Sequence, residues 1–472
     1  MIFTQPIFAL FFALTAGVHW TLSNSRARKL WLLAASYVFY GYWDYRFVGL
    51  IVLCTLFDYA VGLLLARTEA PRARRTLIAA SLCMNLGLLG FFKYYGFFAQ
   101  SLVSALAALG VEANLHVLHV VLPAGISFFT FQTMSYTIDV YRRKLEPQRD
   151  LLDFALFVGF FPQLVSGPIV RATQFLPQLK APRVLADIDV RRALTLFAVG
   201  YFKKACLADN LAAAIDPLFA SPSAFGGLDR LLAALLYSVQ IYCDFSGYSD
   251  MAISTAALLG YELPLNFDAP YFSESVREFW QRWHITLSTW LRDYLYIPLG
   301  GNRGGRLLAM RNLMLTMLLG GLWHGANWTF VLWGFLHGLA LAVQRFWTGR
   351  TGARPSDAPR PAWQRALNML VTFGWVCAAF TIFRCPDIDA VAAFLQPTHA
   401  SKHAGLPPSL DWWLLLPLLA AAHYWIHAHE QELRVRVQRA PEFAFYAGLG
   451  ALAALLLYLT PLTAKPFIYF QF

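Results

Sequence analysis

The feature that most constrains this chain is a long apolar run, Leu313 to Val343, which contains the two histidines His324 and His337. An imidazole is costly to hold in hydrocarbon, so a histidine in such a run indicates a functional site. Basic residues flank both ends of the run: Arg303, Arg306 and Arg311 before it, and Arg345 and Arg350 after it. Clustered arginines are typical of cytoplasmic flanks, and one crossing cannot have both ends on one side. The run therefore predicts a hairpin that enters the membrane and returns.

The middle of this hairpin is expected to break at Gly320, Gly321, Gly325 and Asn327. Each arm would then hold about ten to fifteen residues, or roughly 15 to 22 Å, against a hydrocarbon core about 30 Å thick. This predicts that His324 lies deep in the membrane. Irregular backbone survives at that depth only where it is buried in protein or lines a wet cavity, and a reactive centre needs such a cavity.

Composition agrees with a polytopic helical membrane protein. Of the 472 residues, 58% are hydrophobic and only 14% are charged, which excludes an ordinary soluble domain. The net charge of +11 does not indicate a nucleic-acid partner, because the arginines cluster in short loops between apolar runs. The six cysteines have no paired spacing, so the sequence predicts neither a disulfide framework nor a zinc site.

Loop charges predict the topology. The cluster Arg26, Arg28 and Lys29 follows the first span, Pro6 to Leu22, and places the N-terminus outside. The charged loop Glu430 to Arg439 is expected inside, so the tail that ends at Phe472 is also expected outside. We predict about ten to twelve spans in an all-α fold, and one membrane domain over residues 1–472.

Three segments do not fit a simple series of crossings. Phe97 to Val111 is expected to be interfacial or half-inserted, because a full crossing would break the alternation of loop charges. Val117 to Tyr141 is expected to cross. Leu151 to Val170 contains Pro162, Gly167 and Pro168 in an apolar stretch with basic loops at both ends, which predicts a re-entrant segment.

The stretch Tyr271 to Arg306 alternates hydrophobic and charged residues too closely for a span. Ser275 to Tyr296 instead predicts one or two amphipathic helices along a membrane face. Ser275 and Glu278 have the spacing of a capping box, which predicts a helix start. His284 lies in this stretch, about one helical turn before Ser288.

These residues resemble the membrane-bound O-acyltransferases, through the runs FWQRWHITLSTWLRDYLYIPLGGNRGG and LLGGLWHGANWTFVLWG. Within that family the chain is most similar to the bacterial branch that acetylates exopolysaccharides, typified by the alginate O-acetylation membrane subunit. Further matches are LPAGISFFTFQTMSYTIDVYR, FFPQLVSGPIVR, YCDFSGYSDMAI and the terminal FIYFQF. The resemblance implies a ring of tilted helices with re-entrant segments, and a thin central catalytic layer between a cytoplasmic and an extracytoplasmic funnel.

The same resemblance places the essential histidine of the family on His324 and its second signature histidine on His284. It implies an acetyl thioester, acetyl-CoA, as the cytoplasmic donor, with no permanently bound cofactor and no metal. His324 would act as general base, while His284 would orient the acceptor, assist proton transfer or polarise the carbonyl. In this branch, acetyl is passed across the bacterial inner membrane to a periplasmic partner resembling SGNH hydrolases, in a system that also contains the polysaccharide synthesis machinery.

Several further residues are candidates for support. His337 is expected either to support His324 or to pack in its helix, and Trp323 and Asn327 are supporting candidates beside His324. Arg292 and Asp293 are interpreted as an ion pair or backbone anchors rather than catalysts.

Each of the other polar residues in the apolar runs allows two interpretations. Lys203 and Lys204 either meet CoA phosphates or reach to the membrane interface, the second being favoured. Tyr242, Asp244 and Tyr248 either line a funnel or pack. His423 and His427 have the spacing of a metal face, although an interfacial position near a helix end is favoured for them and for His429.

The sequence thus predicts a membrane O-acetyltransferase for an exopolysaccharide such as alginate or cellulose. Two alternatives remain open at this point. One is D-alanyl transfer to polymers of the teichoic acid type, and the other is a transporter that moves an acyl donor or glycan without chemistry.

Overall fold

A computed structural model describes residues 1–112, 120–351, 361–397 and 412–461, with backbone alone at 348–351 and 412. This part of the chain is helical and contains no strand, which confirms the all-α prediction. The tail to Phe472 and most of the loop from Thr348 to Pro361 lie outside the described residues.

The first eleven helices, in chain order, are α1 Pro6–Thr21, α2 Ser25–Asp44, α3 Val48–Arg67, α4 Pro71–Leu89, α5 Tyr95–Ala108, α6 Ile126–Tyr141, α7 Leu151–Gly159, α8 Phe161–Leu164, α9 Ala172–Lys180, α10 Val190–Tyr201 and α11 Asp209–Ala220. The remaining ten are α12 Gly227–Leu258, α13 Val276–Arg282, α14 Ile285–Leu291, α15 Arg306–His324, α16 Trp328–Thr351, α17 Ala362–Arg384, α18 Ile388–Leu395, α19 Trp412–Ala428, α20 Glu430–Arg439 and α21 Glu442–Leu459.

Apolar helices of membrane-crossing length recur along the described chain. Five segments are long and apolar enough to cross: Ser25–Arg67, Pro71–Ala108, Trp328–Trp347, Ala362–Arg384 and Glu442–Leu459. Two further apolar helices, Pro6–Thr21 and Trp413–Ala428, are shorter. This pattern is that of a polytopic helical membrane protein. The ring of helices, the funnels and the count of ten to twelve spans stay predictions.

The chain divides into two compact units, which are described separately. The first is Met1–Ala193 with Ala252–Pro264, and the second is Leu194–Met251 with Leu265–Phe472. The prediction of a single domain over 1–472 is not tested by this division.

In the first unit, α3, α4 and α6 meet around a buried carboxylate. Asp58 accepts hydrogen bonds from Ser81 Oγ at 2.6 Å and from Asn85 Nδ2 at 2.8 Å, and Thr133 Oγ1 donates to Asn85 Oδ1 at 3.0 Å. All four side chains are buried. Each oxygen of the Asp58 carboxylate therefore has a donor, which is the condition for holding it inside a helical core.

Three segments differ from the sequence-based expectation. Phe97 to Val111 is not a separate interfacial piece, because a π-helical turn at Gly90–Tyr94 joins α4 to α5 in one continuous helix. Of the crossing predicted from Val117, the structure describes the part from Val120 onward, and the helix in that part begins at Ile126. Glu430–Arg439 is a helix rather than a loop, and its pairs Glu430–Arg434 and Glu432–Arg436 have the i, i+4 spacing that supports an exposed helix.

The segment from Leu151 to Val170 is irregular, as predicted. The chain breaks between α7 and α8 at Phe160, and every residue from 153 to 170 is buried. A side chain at Gly167 would come within 2.6 Å of the Gln163 Cα atom, so the turn requires glycine. The backbone is thus buried in protein, as irregular structure at membrane depth must be. Its re-entrant path stays a prediction.

In the second unit, α15 and α16 form the predicted hairpin, with the turn at Gly325–Asn327. Two details of the prediction were wrong. The arms have 19 and 24 residues, or about 28 and 36 Å, instead of ten to fifteen residues each. Gly320 and Gly321 are helical and do not break the chain. The prediction that His324 lies deep in the membrane depended on short hairpin arms. The longer arms of the structure do not support it.

The glycines of this hairpin allow close helix packing. A Cβ atom at Gly321 would lie 2.2 Å from the Phe330 carbonyl oxygen, and one at Gly334 would lie 2.4 Å from the Met317 carbonyl oxygen. Small residues at such crossings let two helix backbones touch. Periodicity in the sequence cannot distinguish a glycine that breaks a helix from one that packs it.

We predict that Gly321→Ala and Gly334→Ala each destabilise the protein by about 1–3 kcal/mol, because the added methyl group overpacks a backbone contact. Gly374→Ala is the matched control, since nothing lies within 4 Å of a Cβ atom there and alanine favours the helix. Thermal unfolding of the detergent-solubilised protein measures the difference. Equal melting temperatures for all three variants would show that the hairpin is not tightly packed at these glycines.

Candidate functional site

The first candidate histidine lies at a kink between two short helices. Ser275 caps α13, with the Glu278 N–H donating to Ser275 Oγ at 3.2 Å, which confirms the predicted helix start. The Glu278 carboxylate accepts from the Glu274 N–H rather than that of Ser275, so the capping box is shifted by one residue. After α13, His284 adopts a left-handed conformation with φ of 42° and begins α14. A left-handed histidine is uncommon, and backbone strain of this kind clusters at functional sites.

The His284 ring is fully buried and held by one amide. Its Nδ1 atom lies 3.0 Å from Asn266 Oδ1, and the same oxygen accepts from Thr286 Oγ1 at 2.9 Å. Asn266 Nδ2 donates to Ser249 Oγ at 3.2 Å. Because Asn266 Oδ1 is an acceptor, His284 Nδ1 carries the proton and Nε2 carries the lone pair.

His284 is uncharged at neutral pH. It lies outside the membrane-spanning segments, between helices of seven residues each, and burial lowers its pKa to about 3. Its Nε2 atom has no hydrogen-bond partner among the described residues. The neutral ring therefore presents a hydrogen-bond acceptor at Nε2.

The second candidate histidine, His324, is the last residue of α15 and is 4% exposed. Three aromatic rings meet it edge to face: Trp323 at 5.0 Å, Trp333 at 5.0 Å and Phe383 at 5.3 Å between ring centroids. A helix C-terminus and indole faces both stabilise a positive charge. The surroundings of His324 thus suit a ring that takes up a proton transiently.

The hairpin turn is built tightly around His324. A side chain at Gly325 would overlap the Phe330 ring, with 2.1 Å between a Cβ atom and Phe330 Cε2. Asn327 caps α16 by accepting a hydrogen bond from the Thr329 N–H at 3.0 Å, and its amide donates to the Pro386 carbonyl. Asn327 therefore fixes the turn, which agrees with a supporting role.

Two tryptophans connect three histidines in one row of rings. Trp323 contacts both His284, at 6.0 Å, and His324. Trp333 contacts both His324 and His337, the latter at 4.7 Å. We call His284, Trp323, His324, Trp333 and His337 the histidine–tryptophan row. The three histidines that sequence singled out are thus brought together, although 53 positions separate the first from the last.

His337 is the most enclosed member of the row. It is fully buried in α16, and its ring packs against Trp280 at 5.1 Å and stacks on Phe279 at 6.2 Å. Neither ring nitrogen has a hydrogen-bond partner within the described residues. These contacts favour a packing role for His337. It supports Trp333, and Trp333 in turn contacts His324.

Arg292 and Asp293 form the predicted ion pair. Arg292 Nε lies 2.7 Å from Asp293 Oδ1, and the arginine side chain is 58% exposed. Both lie in the π-helical turn Arg292–Tyr296 that follows α14. Because this pair is exposed, its surroundings differ from those of the buried histidine–tryptophan row. Its contacts do not support a catalytic role.

The two lysines of the apolar run are held in a buried ion cluster, which we define as Lys203, Lys204, Asp209, Asp244 and Asp250. Lys204 Nζ lies 2.7 Å from Asp209 and 2.5 Å from Asp244, and these three side chains are at most 4% exposed. Lys203 Nζ lies 2.7 Å from Asp250. The favoured prediction that the lysines reach to the membrane interface was therefore wrong.

Helix packing explains how the buried ion cluster forms. The π-helical turn Phe202–Ala208 carries both lysines. It packs against α12 where Gly200 and Gly247 touch, since a Cβ atom at either glycine would lie 2.7 Å or less from the carbonyl oxygen of the other. π-Helical turns are frequent at functional sites. Sequence could locate the lysines but not the acidic partners that α12 provides.

Residues of the motif YCDFSGYSDM in α12 join the ion cluster to the histidines. Phe245, next to Asp244, packs edge to face on His284 at 4.7 Å. The Tyr242 ring lies under Lys203 Nζ at 5.6 Å, and its hydroxyl is 3.4 Å from His423 Nε2. Tyr248 is buried. Packing, rather than a funnel lining, accounts for these aromatic contacts.

The part of the chain that the structure describes contains no set of side chains that could hold a metal ion. No group of three His, Cys, Asp or Glu side chains there converges on one point. The pair His423 and His427 lacks a third ligand of this kind. His423 instead stacks on Phe272, with ring centroids 5.3 Å apart.

Asn266 is the functional residue that sequence reasoning missed. It lies 18 positions before His284 in a loop with no recognisable motif. Its role depends on the folded positions of α12 and α14, so no local pattern could have identified it.

Comparisons with known proteins show the family to which the chain is related. The model of the membrane-bound O-acyltransferase family matches residues 86–382, which include every member of the histidine–tryptophan row. A probable alginate O-acetylase of Azotobacter vinelandii is 45% identical over 394 residues, or 82% of this chain and 76% of the relative. A peptidoglycan O-acetyltransferase of Helicobacter pylori is 36% identical over 427 residues, or 84% and 79%. A teichoic acid D-alanyltransferase of Streptococcus thermophilus is 29% identical over 286 residues, or 55% and 67%.

We predict that Lys204→Met destabilises the protein by about 3–5 kcal/mol, because it leaves Asp209 and Asp244 buried without their cation. Adding Asp209→Asn and Asp244→Asn to the same chain removes the uncompensated charge and should recover most of the loss. Thermal unfolding in detergent measures both. Arg436→Met, which breaks an exposed pair, is the control and should change stability by less than about 1 kcal/mol. A triple variant no more stable than Lys204→Met would contradict the charge argument.

We also predict that Asn266→Ala is more damaging than Ser249→Ala. The first removes the acceptor of His284 Nδ1–H, and a buried donor left unpaired costs about 1–3 kcal/mol. The second removes only the acceptor of one Asn266 amide proton. Melting temperatures of the two purified variants test the order, and the reverse order would show that Asn266 does not hold His284.

Proposed function

Because the chain belongs to the membrane-bound O-acyltransferase family, we propose that it transfers an acetyl group from acetyl-CoA toward hydroxyl groups of a bacterial exopolysaccharide. The protein is a multi-pass membrane O-acyltransferase, and the proposal concerns its donor, its acceptor and its catalytic residues. The observation that carries the proposal is the burial of His324 between Trp323 and Trp333, with the neutral His284 contacting the same Trp323 ring.

His324 acts as the general base in this proposal. It takes the proton from an acceptor hydroxyl while the hydroxyl oxygen attacks the thioester carbonyl carbon. The carbon–sulfur bond then breaks, and the leaving thiolate receives the proton back from His324 to give free CoA. The indole faces and the C-terminal end of α15 stabilise the imidazolium that exists between these two proton transfers.

His284 orients the acceptor. Its Nε2 atom accepts a hydrogen bond, because Asn266 fixes the proton on Nδ1. A nitrogen without a proton cannot polarise the thioester carbonyl by donating to it. Because burial lowers the pKa of His284 to about 3, the ring is also a poor proton acceptor, which favours orientation among the three roles that sequence left open. His337 supports the site through its contact with Trp333.

Acetyl is favoured over D-alanyl as the transferred group. The two O-acetylating relatives are 45% and 36% identical over more than four fifths of this chain, whereas the D-alanyltransferase of Streptococcus thermophilus is 29% identical over 55% of it. Alginate or a related polymer such as cellulose is the polysaccharide class that we propose. A non-catalytic transporter does not account for a left-handed, oriented histidine that is connected through Trp323 to a second buried histidine.

We place the protein in the bacterial inner membrane, with acetyl-CoA entering from the cytoplasm and both termini in the periplasm. Support comes from the arginine-rich loops, which the positive-inside rule assigns to the cytoplasm. The acetyl group would pass to a periplasmic partner resembling SGNH hydrolases, which would modify the glycan alongside the polysaccharide synthesis machinery.

The test is CoA release from radiolabelled acetyl-CoA by purified protein, with the label followed onto a co-expressed periplasmic partner. We expect His324→Asn to lower transfer by about 10²–10⁴-fold, the usual contribution of a general base. The matched control is His19→Asn, which removes a buried imidazole in the first unit and should retain transfer if the variant folds.

Equal CoA release by wild type and His324→Asn, at equal melting temperatures, would show that His324 is structural. A transport assay in vesicles separates the remaining rival. If wild type moved acetyl-CoA or glycan without releasing CoA, and His324→Asn left that transport intact, the acyltransfer mechanism would fail.

A further inference from the structure

A groove in the first unit lies outside the histidine–tryptophan row and has no part in the proposed transfer. It is bounded by α2, α3 and the start of α7, and its volume is about 750 Å³. This volume lies within the roughly 300–1,000 Å³ typical of ligand sites.

The groove is polar at one end and apolar at the other. Arg26 lies in the first turn of α2, and Leu33 and Tyr37 follow it along the groove by seven and eleven residues, or about 10 and 16 Å. On α3 the order is reversed, because the chain turns back at Tyr45–Phe47. Tyr59 lies at the polar end, and Val52 lies about 10 Å from it toward the apolar end.

Two arginines define the polar end. Arg149 joins Arg26 there, and the Tyr59 hydroxyl donates a hydrogen bond to the Arg149 carbonyl, which fixes the loop before α7. Within the described ranges, neither guanidinium group forms a hydrogen bond or an ion pair. The acidic lining residue, Asp150, caps α7 by accepting from the Leu152 N–H at 2.8 Å. The polar end therefore has a net positive charge, and no carboxylate of the described residues forms an ion pair with either guanidinium group.

The apolar end opens onto a hydrophobic face. Leu56, which lines the groove, is 48% exposed, and the neighbouring Leu53 is 51% exposed. Both belong to the segment Ser25–Arg67, which is long and apolar enough to cross a membrane. We expect exposed leucines on such a segment to face lipid, because it has the length and composition of a membrane crossing. An occupant can thus enter the groove from the bilayer.

We propose that this groove binds an anionic phospholipid. Its phosphate lies against Arg26 and Arg149, where guanidinium groups provide charge-assisted hydrogen bonds. One acyl chain follows Leu33 and Tyr37 on α2 and Val52 on α3. Basic pockets between membrane helices bind such head groups for the same reason. The proposal does not depend on the acetyl-transfer mechanism, because every residue involved lies in the first unit.

Photolabelling of the full-length protein in liposomes tests the proposal. The probes are a photoactivatable phosphatidylglycerol and a phosphatidylcholine with the same acyl chains, and mass spectrometry locates the crosslinks. We expect phosphatidylglycerol to label the peptides that contain Leu33 to Tyr37 and Val52 to Leu56, and phosphatidylcholine to label them several-fold less.

Two charge-matched double variants make the test specific. Arg26→Gln with Arg149→Gln should lower phosphatidylglycerol labelling at the groove about tenfold or more. Arg67→Gln with Arg75→Gln removes the same charge from exposed positions that do not line the groove, and should leave labelling unchanged. Thermal unfolding provides a second readout, because added phosphatidylglycerol should stabilise wild type and the control but not the groove variant.

Three results would overturn the proposal. Equal labelling by the two lipids would show that the groove does not select the head group. An equal fall in both double variants would show that general surface charge attracts the lipid. Loss of labelling on addition of inorganic phosphate or CoA, each at millimolar concentration, would show that a soluble anion is the occupant.

Discussion

The backbone contact between α15 and α16 is the constraint on which the candidate site depends. Gly321 and Gly334 let the two helices touch, and this fixes the turn where α15 ends at His324. The same crossing sets Trp333 against both His324 and His337. A larger residue at either glycine would separate the helices and open the ring contacts. The chemistry proposed for His324 is therefore a consequence of how closely two helices can pack.

Buried charge is the second constraint. Lys204 is held by Asp209 and Asp244 at the π-helical turn before α11, and α12 continues from Asp244 directly to Phe245 on His284. An ion pair in such a place costs desolvation energy and is weak evidence for stability, and we infer that its role here is to set the register of the helices that carry it. The buried ion cluster and Asn266 therefore position one side of the site, as the α15–α16 hairpin positions the other.

Sequence predicted the parts of the fold and the site that are encoded locally. It located the hairpin, its turn near Gly325, the helix start at Ser275 and the three histidines, because hydrophobic runs, breakers and caps are short-range signals. It failed where long-range packing decides. Which helices meet decides the lengths of the hairpin arms, the packing role of Gly321 and the hydrogen bond between Asn266 and His284. A single sequence does not contain that information.

The most direct test of the central claim is a structure of the full-length protein with a non-hydrolysable thioether analogue of acetyl-CoA. General-base catalysis by His324 predicts that the carbonyl carbon lies beside the His324 ring, with space for one hydroxyl oxygen about 3–3.5 Å from that carbon. The His284 Nε2 atom should face the same space. An analogue whose carbonyl lies away from the histidine–tryptophan row would contradict the account, and the search for the base would have to begin elsewhere.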